Sequence, residues 1–380
     1  MDVMLKEIGD IITGNTPSKN SKEFWNSKDI CFIKPDIIAD SRVHEVCESN
    51  EYISECARKK ARIVSKDSIF VTCIGSIGKV GIAGEGEYAF NQQINAIVPN
   101  EKVNPRYLAY NLIYNKPRLV DIANAPVVPI INKSQFGEFI INIEFDINKQ
   151  SRIVCVLDKL SSLIEKYNRE IITLDKLIRA RFVELFEEIK ETCNVNYYIK
   201  ELIAGKSLAS EVECKNKVLK TGAASFDYFD GSQVKNLPIN YEPKEEHLVH
   251  KGDIIISRMN TAELTGAAAY VWEVSDNVYI PDRLWKAVIR DGVNPIFLWN
   301  MLIQPSTKEQ IQRVCSGTSG SMKNISKLGM LGIRVKKVDS YLQNEFATFV
   351  EQVNKSKVEV QKALDKTQLL FDSLMQKYFG

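Results

Sequence analysis

Hydrophobic residues recur at alternating spacings of four and three along two stretches of the chain. The first series is Ile153, Leu157, Leu160, Ile164, Tyr167, Ile171, Leu174 and Ile178. The second is Phe346, Val350, Val353, Lys357, Val360, Leu364, Thr367, Phe371, Leu374 and Tyr378. A period of about 3.5 keeps one stripe of a helix against a partner helix over its whole length. The pattern predicts two long helices, from about residue 146 to 191 and from about residue 340 to 379, with Asp146 and Ser340 as N-caps. At 1.5 Å per residue each would be roughly 60–65 Å long. Each member of the second series lies 193 positions after one of the first, if Arg181 and Leu185 are set against Leu374 and Tyr378. Two helices in matched register predict an intramolecular antiparallel coiled coil.

Outside these seams the pattern changes to short apolar runs separated by glycine and polar clusters, the signature of strands. Residues 61–64, 68–74, 79–83 and 94–98 read as strands, broken at Gly75, Gly78, Gly84 and Gly86. A helix is predicted over 105–115, with proline at an early position where helices tolerate it. The second half repeats the scheme, with strands over 253–257, 267–272 and 285–290 and a helix from Pro295.

The similarity extends to the residues themselves. Ile11-Ile12-Thr13-Gly14-Asn15-Thr16 answers Leu202-Ile203-Ala204-Gly205-Lys206-Ser207, 191 positions later. Phe32–Ile37 answers Val218–Ala223, and Asp67–Val71 answers Asp253–Ser257, both by 186; Asn104–Leu108 answers Asn294–Leu298 by 190; Asn132–Gly137 answers Asn324–Gly329 by 192. Collinear matches with small drifts in offset are what an old duplication with loop insertions leaves. The expected fold class is α+β, with two similar recognition domains joined by two long antiparallel coiled-coil helices in a pseudo-two-fold repeat. The expected boundaries are 1–145 and 193–337 for the domains, and 146–192 and 338–380 for the helices.

Composition removes several function classes. The 50 Lys+Arg against 48 Asp+Glu leave a net charge of +2, which gives no polybasic surface for membrane or non-specific nucleic-acid binding. Partitioned, residues 1–145 carry −1, 146–192 carry zero, 193–337 carry +4 from 19 basic and 15 acidic side chains, and 338–380 carry −1. No segment binds nucleic acid tightly by counterion release alone. The beginning of the sequence shows no export signal and no apolar run spans a bilayer, so the expected location is the cytoplasm. The eight cysteines form no CxxC pair, and His44, His247 and His250 sit near no cysteine pair, so no metal, cofactor or disulfide is expected.

Catalytic motifs fail in the same way. An amino-methyltransferase loop needs Pro-Pro before an aromatic, and the chain has no Pro-Pro. Gly205-Lys206-Ser207 resembles the end of a P-loop, but Lys200 stands where the first glycine belongs. The Glu-x-Lys triplets at 213–215 and 242–244 lack a convincing partner carboxylate.

What the loops offer is recognition chemistry. Arg and Lys reach guanine edges or phosphates, Asn and Gln can pair with adenine, and Ser, Thr and backbone amides grip phosphate oxygens. The candidate DNA-binding residues are Thr13, Asn15, Lys34, Lys79, Asn91, Gln92 and Lys133 in the first half. In the second half they are Lys220, Ser257, Arg258, Asn260, Thr261, Arg283, Lys286, Ser319, Ser321 and Lys323. Arg258 and Arg283 stand out because each follows a strand or proline that would fix its position. Arg58-Lys59-Lys60 reads instead as a solvated face, and Asn91-Gln92-Gln93 could simply tie the ends of a strand.

With these residues in hand, the chain resembles the specificity subunits of type I restriction–modification systems. The resemblance rests on the order of Thr13–Ser18, Phe32–Ile37, residues 90–97, Ser257–Thr261, Pro281–Lys286 and 317–326 within the repeat, together with 174–186 against 364–379. It implies a non-catalytic scaffold that reads double-stranded DNA and binds two methyltransferase subunits. Those subunits would bring S-adenosylmethionine and methylate adenine, and restriction subunits could join as ATP-dependent translocating nucleases. Each domain would read half of a split site, with the helices as a ruler. One departure is that both long helices follow their domains, since the first domain begins almost at residue 1. The alternative is a stand-alone DNA-binding regulator or anti-restriction protein without a methyltransferase partner.

Overall fold

A computed structural model describes residues 1–40, 42–123, 128–316 and 322–380. They divide into two units, residues 1–170 with 360–380, and residues 171–359. The architecture is α+β.

In the first unit a five-stranded sheet runs in the order Gly9–Thr13, Ile94–Pro99, Ile69–Thr72, Val80–Ala83, Glu45–Val46. Its middle strands, Ile69–Thr72 and Val80–Ala83, are buried at every position, which explains why they read as continuous apolar runs instead of alternating ones. A second sheet has the order Glu51–Ile53, Ile30–Ile33, Glu87–Phe90, Ile63–Ser65, and its central pair is parallel. The helix Pro105–Tyr114 lies over the first sheet and is capped by Asn104, whose side chain accepts from Arg106 and Tyr107.

The second unit repeats this plan. Its sheet runs Ile199–Ile203, Leu284–Ile289, Ile254–Ser257, Ala268–Tyr270, beside a three-stranded sheet in which Lys217–Leu219 and Val278–Tyr279 are parallel. The helix Pro295–Leu302 is capped by Asn294 through Ile296 and Phe297. Strands predicted from the sequence fall within one or two residues of these bounds.

Each long helix is 40 residues, Ile147–Phe186 and Ser340–Phe379. Asp146 caps the first, its carboxylate accepting from Asn148 at 2.9 Å. The second is capped by Asp339, which accepts from Leu342 at 3.0 Å, and not by the expected Ser340, which sits inside the first turn. The first helix also stops short of residue 191. There the Lys336 ammonium takes the carbonyls of Glu187 (2.6 Å) and Ile189 (3.0 Å), and Thr192–Asn194 leaves to pair with Arg334–Lys336. The Lys336 cation thus holds the turn that carries the chain away from the helix end at Phe186.

Every residue of both seams is buried or half-buried, while flanking positions such as Arg152, Lys166, Lys176 and Lys355 are exposed. In the second unit the helices run antiparallel: Asp175 meets Lys357 at 2.6 Å, Arg181 meets Glu345 at 2.8 Å, and Phe182 and Phe186 pack on Phe346 with centroids 5.4 and 5.5 Å apart. In the first unit Val154 and Leu157 share a core with Met375 and Phe379.

A buried glutamine fixes each domain to its helix. Gln150 accepts from the Asn104 amide at 2.6 Å, and Gln343 accepts from the Asn294 amide at 2.9 Å. Their own amides return to Lys102 and Glu144 carbonyls in one case and to Val338 in the other. Both side chains are within 3% of full burial, so losing one would strand a backbone donor away from water.

The packing predicts unequal sensitivities. Phe186→Ala should cost about 3–5 kcal/mol, since the phenyl group is fully enclosed by aromatic neighbours. Arg181→Ala should cost far less, because its ion pairs with Glu184 and Glu345 are solvated. Urea midpoints of the two variants test this, and equal midpoints would contradict the assigned seam.

Candidate nucleic-acid interface

Two glycines explain how each unit gathers its polar residues. The chain leaving Gly9–Thr13 passes so close to the next sheet that a Cβ on Gly14 would lie 2.2 Å from the Asn91 carbonyl oxygen. A Cβ on Gly205, its counterpart, would lie 1.9 Å from that of Ile280. No other residue fits, and the close approach seats Asn15 and Thr16 beside Asn91 and Gln92.

In the first unit that contact becomes a hydrogen-bonded cluster. Thr13 Oγ1 donates to Asn95 (2.6 Å), Thr16 Oγ1 donates to Gln92 (2.8 Å), and Asn15 bridges the Lys60 carbonyl and the Arg62 amide. Asn91, buried, binds Gln93 through both its amide and its carbonyl oxygen, so its amide ends the strand and the exposed edge beside it belongs to Gln92. Lys34 extends the parallel partner strand, and Lys79 donates to the Pro35 carbonyl at 3.3 Å. The structure thus brings Thr13, Asn15, Lys34, Lys79, Asn91 and Gln92 together. Lys133 stands apart on the first turn of the short helix Lys133–Gly137, exposed.

Several neighbours lie outside the set of candidate residues. Arg62 donates to the Thr13 carbonyl at 2.5 Å. Lys19 lies 3.4 Å from the centre of the Trp25 ring and 2.6 Å from Glu51, which also pairs with Lys34. With Lys22, Lys28 and Tyr52 they line an open cleft of about 690 Å³. Burial pushes the Glu51 carboxyl up, but hydrogen bonds from Lys19 and Lys34 outweigh it and hold the group below the usual range. Arg58 is taken up by Glu55 and Glu87.

In the second unit the short strands Met259–Asn260 and Lys323–Asn324 pair, which sets Asn260 opposite Lys323. Asn260 donates to Ser257 Oγ (3.3 Å) and accepts from the Thr261 amide. The Arg258 amide donates to the Arg283 carbonyl (3.0 Å), and its guanidinium lies 5.8 Å from the Trp285 ring. Arg258 Nε, Trp285 Nε1 and Asn324 Oδ1 are buried without a hydrogen-bond partner, three of the four such atoms among the described residues. Beyond them a cleft of about 640 Å³ is lined by Ser207, Lys220, Thr221, Lys235, Asp282 and Arg283. The unit therefore assembles Lys220, Ser257, Arg258, Asn260, Thr261, Arg283 and Lys323. Ser207, which pairs with Asp282, was marked by the glycine repeat, and Trp285 lay within the motif Pro281–Lys286; Lys235 carried no sequence signal of its own.

Lys286 points elsewhere. Its ammonium donates to the Leu248 carbonyl at 2.6 Å and faces Asp253 at 3.9 Å, and burial pushes that carboxyl up against the pull of Lys286 and His250. Ser319 and Ser321 lie outside the described residues.

His44 accepts the Ala39 amide at 3.3 Å, and desolvation lowers its pKa. Burial pushes the Cys73 thiol up to about 12. Among the described residues no three His, Cys, Asp or Glu side chains group to hold a metal, and no helix is long and apolar enough to cross a membrane.

The chain is similar to known proteins. Residues 1–175 match the profile of a family described as the type I restriction modification DNA specificity domain. A type I restriction enzyme specificity subunit from Methanocaldococcus jannaschii, MjaIX, is 29% identical over 227 residues, covering 58% of this chain and 52% of that protein. The EcoR124I/EcoR124II specificity subunit from Escherichia coli is 32% identical over 168 residues, covering 42% and 40%. The matched stretches thus span about half the length of these relatives or less. The crystal structure of a type I restriction–modification S subunit from M. genitalium superposes with a TM-score of 0.61 at 15% identity, covering 100% of this chain and 96% of that one. The fold is shared with that subunit.

The Lys19–Glu51–Lys34 clip predicts a pH dependence. With its folded-state pKa below the unfolded value, Glu51 contributes stability that is complete above the ordinary glutamate range, near pH ~4.3. That contribution is lost as pH falls through the lowered value. The group is a third exposed, so Glu51→Gln should cost roughly 0.5 kcal/mol or less at pH 7 and nothing in strong acid, read from denaturation midpoints at both pH values.

Proposed function

We propose that this chain, whose residues 1–175 match the type I restriction modification DNA specificity domain family, is the DNA-reading subunit of a type I restriction–modification complex. It performs no catalysis itself. The observation that carries the reading is the repeated site: two similarly built units each gather basic, amide and hydroxyl side chains where a glycine lets one sheet pass close over the other. Such side chains are the ones that read base edges and hold phosphates, and their relatives bear the name of specificity subunits.

In this reading residues 1–145 and 193–337 are target-recognition domains, and 146–192 and 338–380 are spacer helices. Each domain reads one half of a bipartite site, as half-sites on one face of DNA sit about one turn, roughly 34–36 Å, apart. Two modification subunits, carrying the adenine-methylating chemistry, dock on the scaffold, and restriction subunits join them, in the cytoplasm where the DNA lies. The +4 charge of residues 193–337 against −1 for residues 1–145 makes binding dependent on the positive field of those partners.

Methylation mapping in a strain expressing the chain with its modification subunit tests this. The expected result is one motif of two short halves with a non-specific gap, and a single continuous motif would refute it. Deletion of seven residues from both long helices shortens each by roughly 10 Å and should narrow the gap by about three base pairs at ~3.4 Å per step, leaving both halves unchanged. DNA binding with no methylation would point to a stand-alone regulator.

Arg258→Ala or Arg283→Ala should degrade only the half-motif read by the second domain, at about 1–3 kcal/mol per lost base contact. Equal weakening on all sequences, measured by competition binding, would assign that arginine to phosphate.

A further inference from the structure

The segment that follows Lys220 has a feature that base-edge reading does not use. Phe226 is 80% exposed and adopts φ 57°, ψ 26°, and Asp227 follows at φ 62°. Two consecutive residues other than glycine in the left-handed region are rare, and an aromatic there is rarer still. The surroundings impose the conformation. Ala223 and Ala224 are wholly buried before it, and Phe229 is buried after it. Between them the Asp227 carboxylate accepts from the Ala268 amide at 3.0 Å and pairs with Lys308, a lysine that also donates to the Gly266 carbonyl. A chain that holds a strained turn this firmly, only to put a phenyl ring into water, spends stability on position. Tyr228, 66% exposed, stands on the other side of the clamp.

The location of the turn names its target. Asp227 binds Ala268, the neighbouring Ala267 carbonyl receives the Ser257 amide, and Arg258 follows. On its other side the turn begins at Lys220 and Thr221, which line the cleft with Arg283 and Lys235. The segment that carries the ring thus runs between the cleft of Lys220, Thr221 and Arg283 and the strands that lead to Arg258, on the half of the chain that carries the excess positive charge.

We propose that Phe226 is an aromatic wedge, inserted between two base pairs of the half-site that the second domain reads, and that the Asp227 clamp holds it rigid. An apolar ring driven into a base step unstacks it and bends the duplex, which brings more basic surface onto the backbone. Specificity then includes the ease of unstacking, greatest at pyrimidine–purine steps, and not only hydrogen bonding. The wedge is confined to one half: six residues after Lys34, the counterpart of Lys220, stands Asp40, an acid paired with Lys116. This inference rests on the DNA-reading function proposed above.

The test uses the full-length chain with its modification subunit and a pool of randomised DNA duplexes. Sequencing the bound fraction gives the motif, and Arg258→Ala marks the half read by the second domain. Duplexes carrying 2-aminopurine at successive steps of that half then report unstacking as a rise in fluorescence. The wild-type chain should raise it at one step. Phe226→Ala should abolish the rise and weaken binding about tenfold, whereas Phe226→Trp should keep both. Phe226→Gly, which relieves the turn, should lose the rise while raising Tm, separating a wedge from a folding role. Equal fluorescence with Phe226→Ala and wild type on an enriched motif overturns the wedge alone. So does a rise in the other half, or a loss of affinity with no change in stacking. Failure of the wild-type complex to enrich any motif overturns the DNA-reading function, and the wedge with it.

Discussion

The apolar seam of the two long helices is the constraint on which the other elements depend. A helix of 40 residues with one greasy stripe is stable in water only when that stripe is covered, and each unit covers it with a stretch of both helices. The cores are finished by these stretches: Val154, Leu157, Met375 and Phe379 in one, and Phe182, Phe186, Phe346 and Val350 in the other. Lys357 interrupts the second seam and meets Asp175, and a single charged position of this kind sets register, because a slip would leave the ammonium against apolar neighbours. The glutamines at 150 and 343 carry that register into the domains by accepting from the backbone amides of Asn104 and Asn294, whose side chains cap the domain helices.

Much of this was legible in the sequence, for physical reasons. A 3.5-residue period kept over six turns suits a helix packed along its length on another helix, and neither a strand nor a helix lying on a sheet demands it. The collinear repeat then transferred each reading from one half to the other. The glycine motifs were visible as motifs, but their reason, a carbonyl within 2.2 Å of a would-be Cβ, required the second sheet to be in place. The same holds for direction. Lys286 sits in the motif expected to face DNA, yet alternation along its strand turns it to the Leu248 carbonyl. Asp339 displaced Ser340 as cap by one residue, a margin at which sequence signals for helix ends are weakest. Gln150 and Gln343 lie 193 apart, like the seam residues, and that offset would have found them had polar positions been compared as well. Nothing in Ser225-Phe226-Asp227 announces a left-handed backbone at the phenylalanine, a residue that does not favour it; the clamp from Ala268 and Lys308 decides it.

The near-zero net charge also takes on a definite structure. In the first unit many cations are already engaged, Lys34 and Lys19 by Glu51 and Arg58 by Glu55 and Glu87. Such pairs keep the long side chains in place at little gain in stability. They also mean that a phosphate approaching this surface must compete with carboxylates, which favours ligands that offer shape and base edges over those that offer charge alone.

Met375 and Phe379 close the core of the first unit, although its sheets are complete some two hundred residues earlier in the sequence. During synthesis, therefore, the sheets of this unit emerge from the ribosome with an apolar face that stays open until Met375 and Phe379 arrive. At about 5–20 residues per second that wait lasts roughly ten seconds or more. The growing polypeptide has to keep this face from sticking to other chains for that time. Of the two units, the one whose sheets are made earlier is thus completed only by residues made after the other unit's sheets.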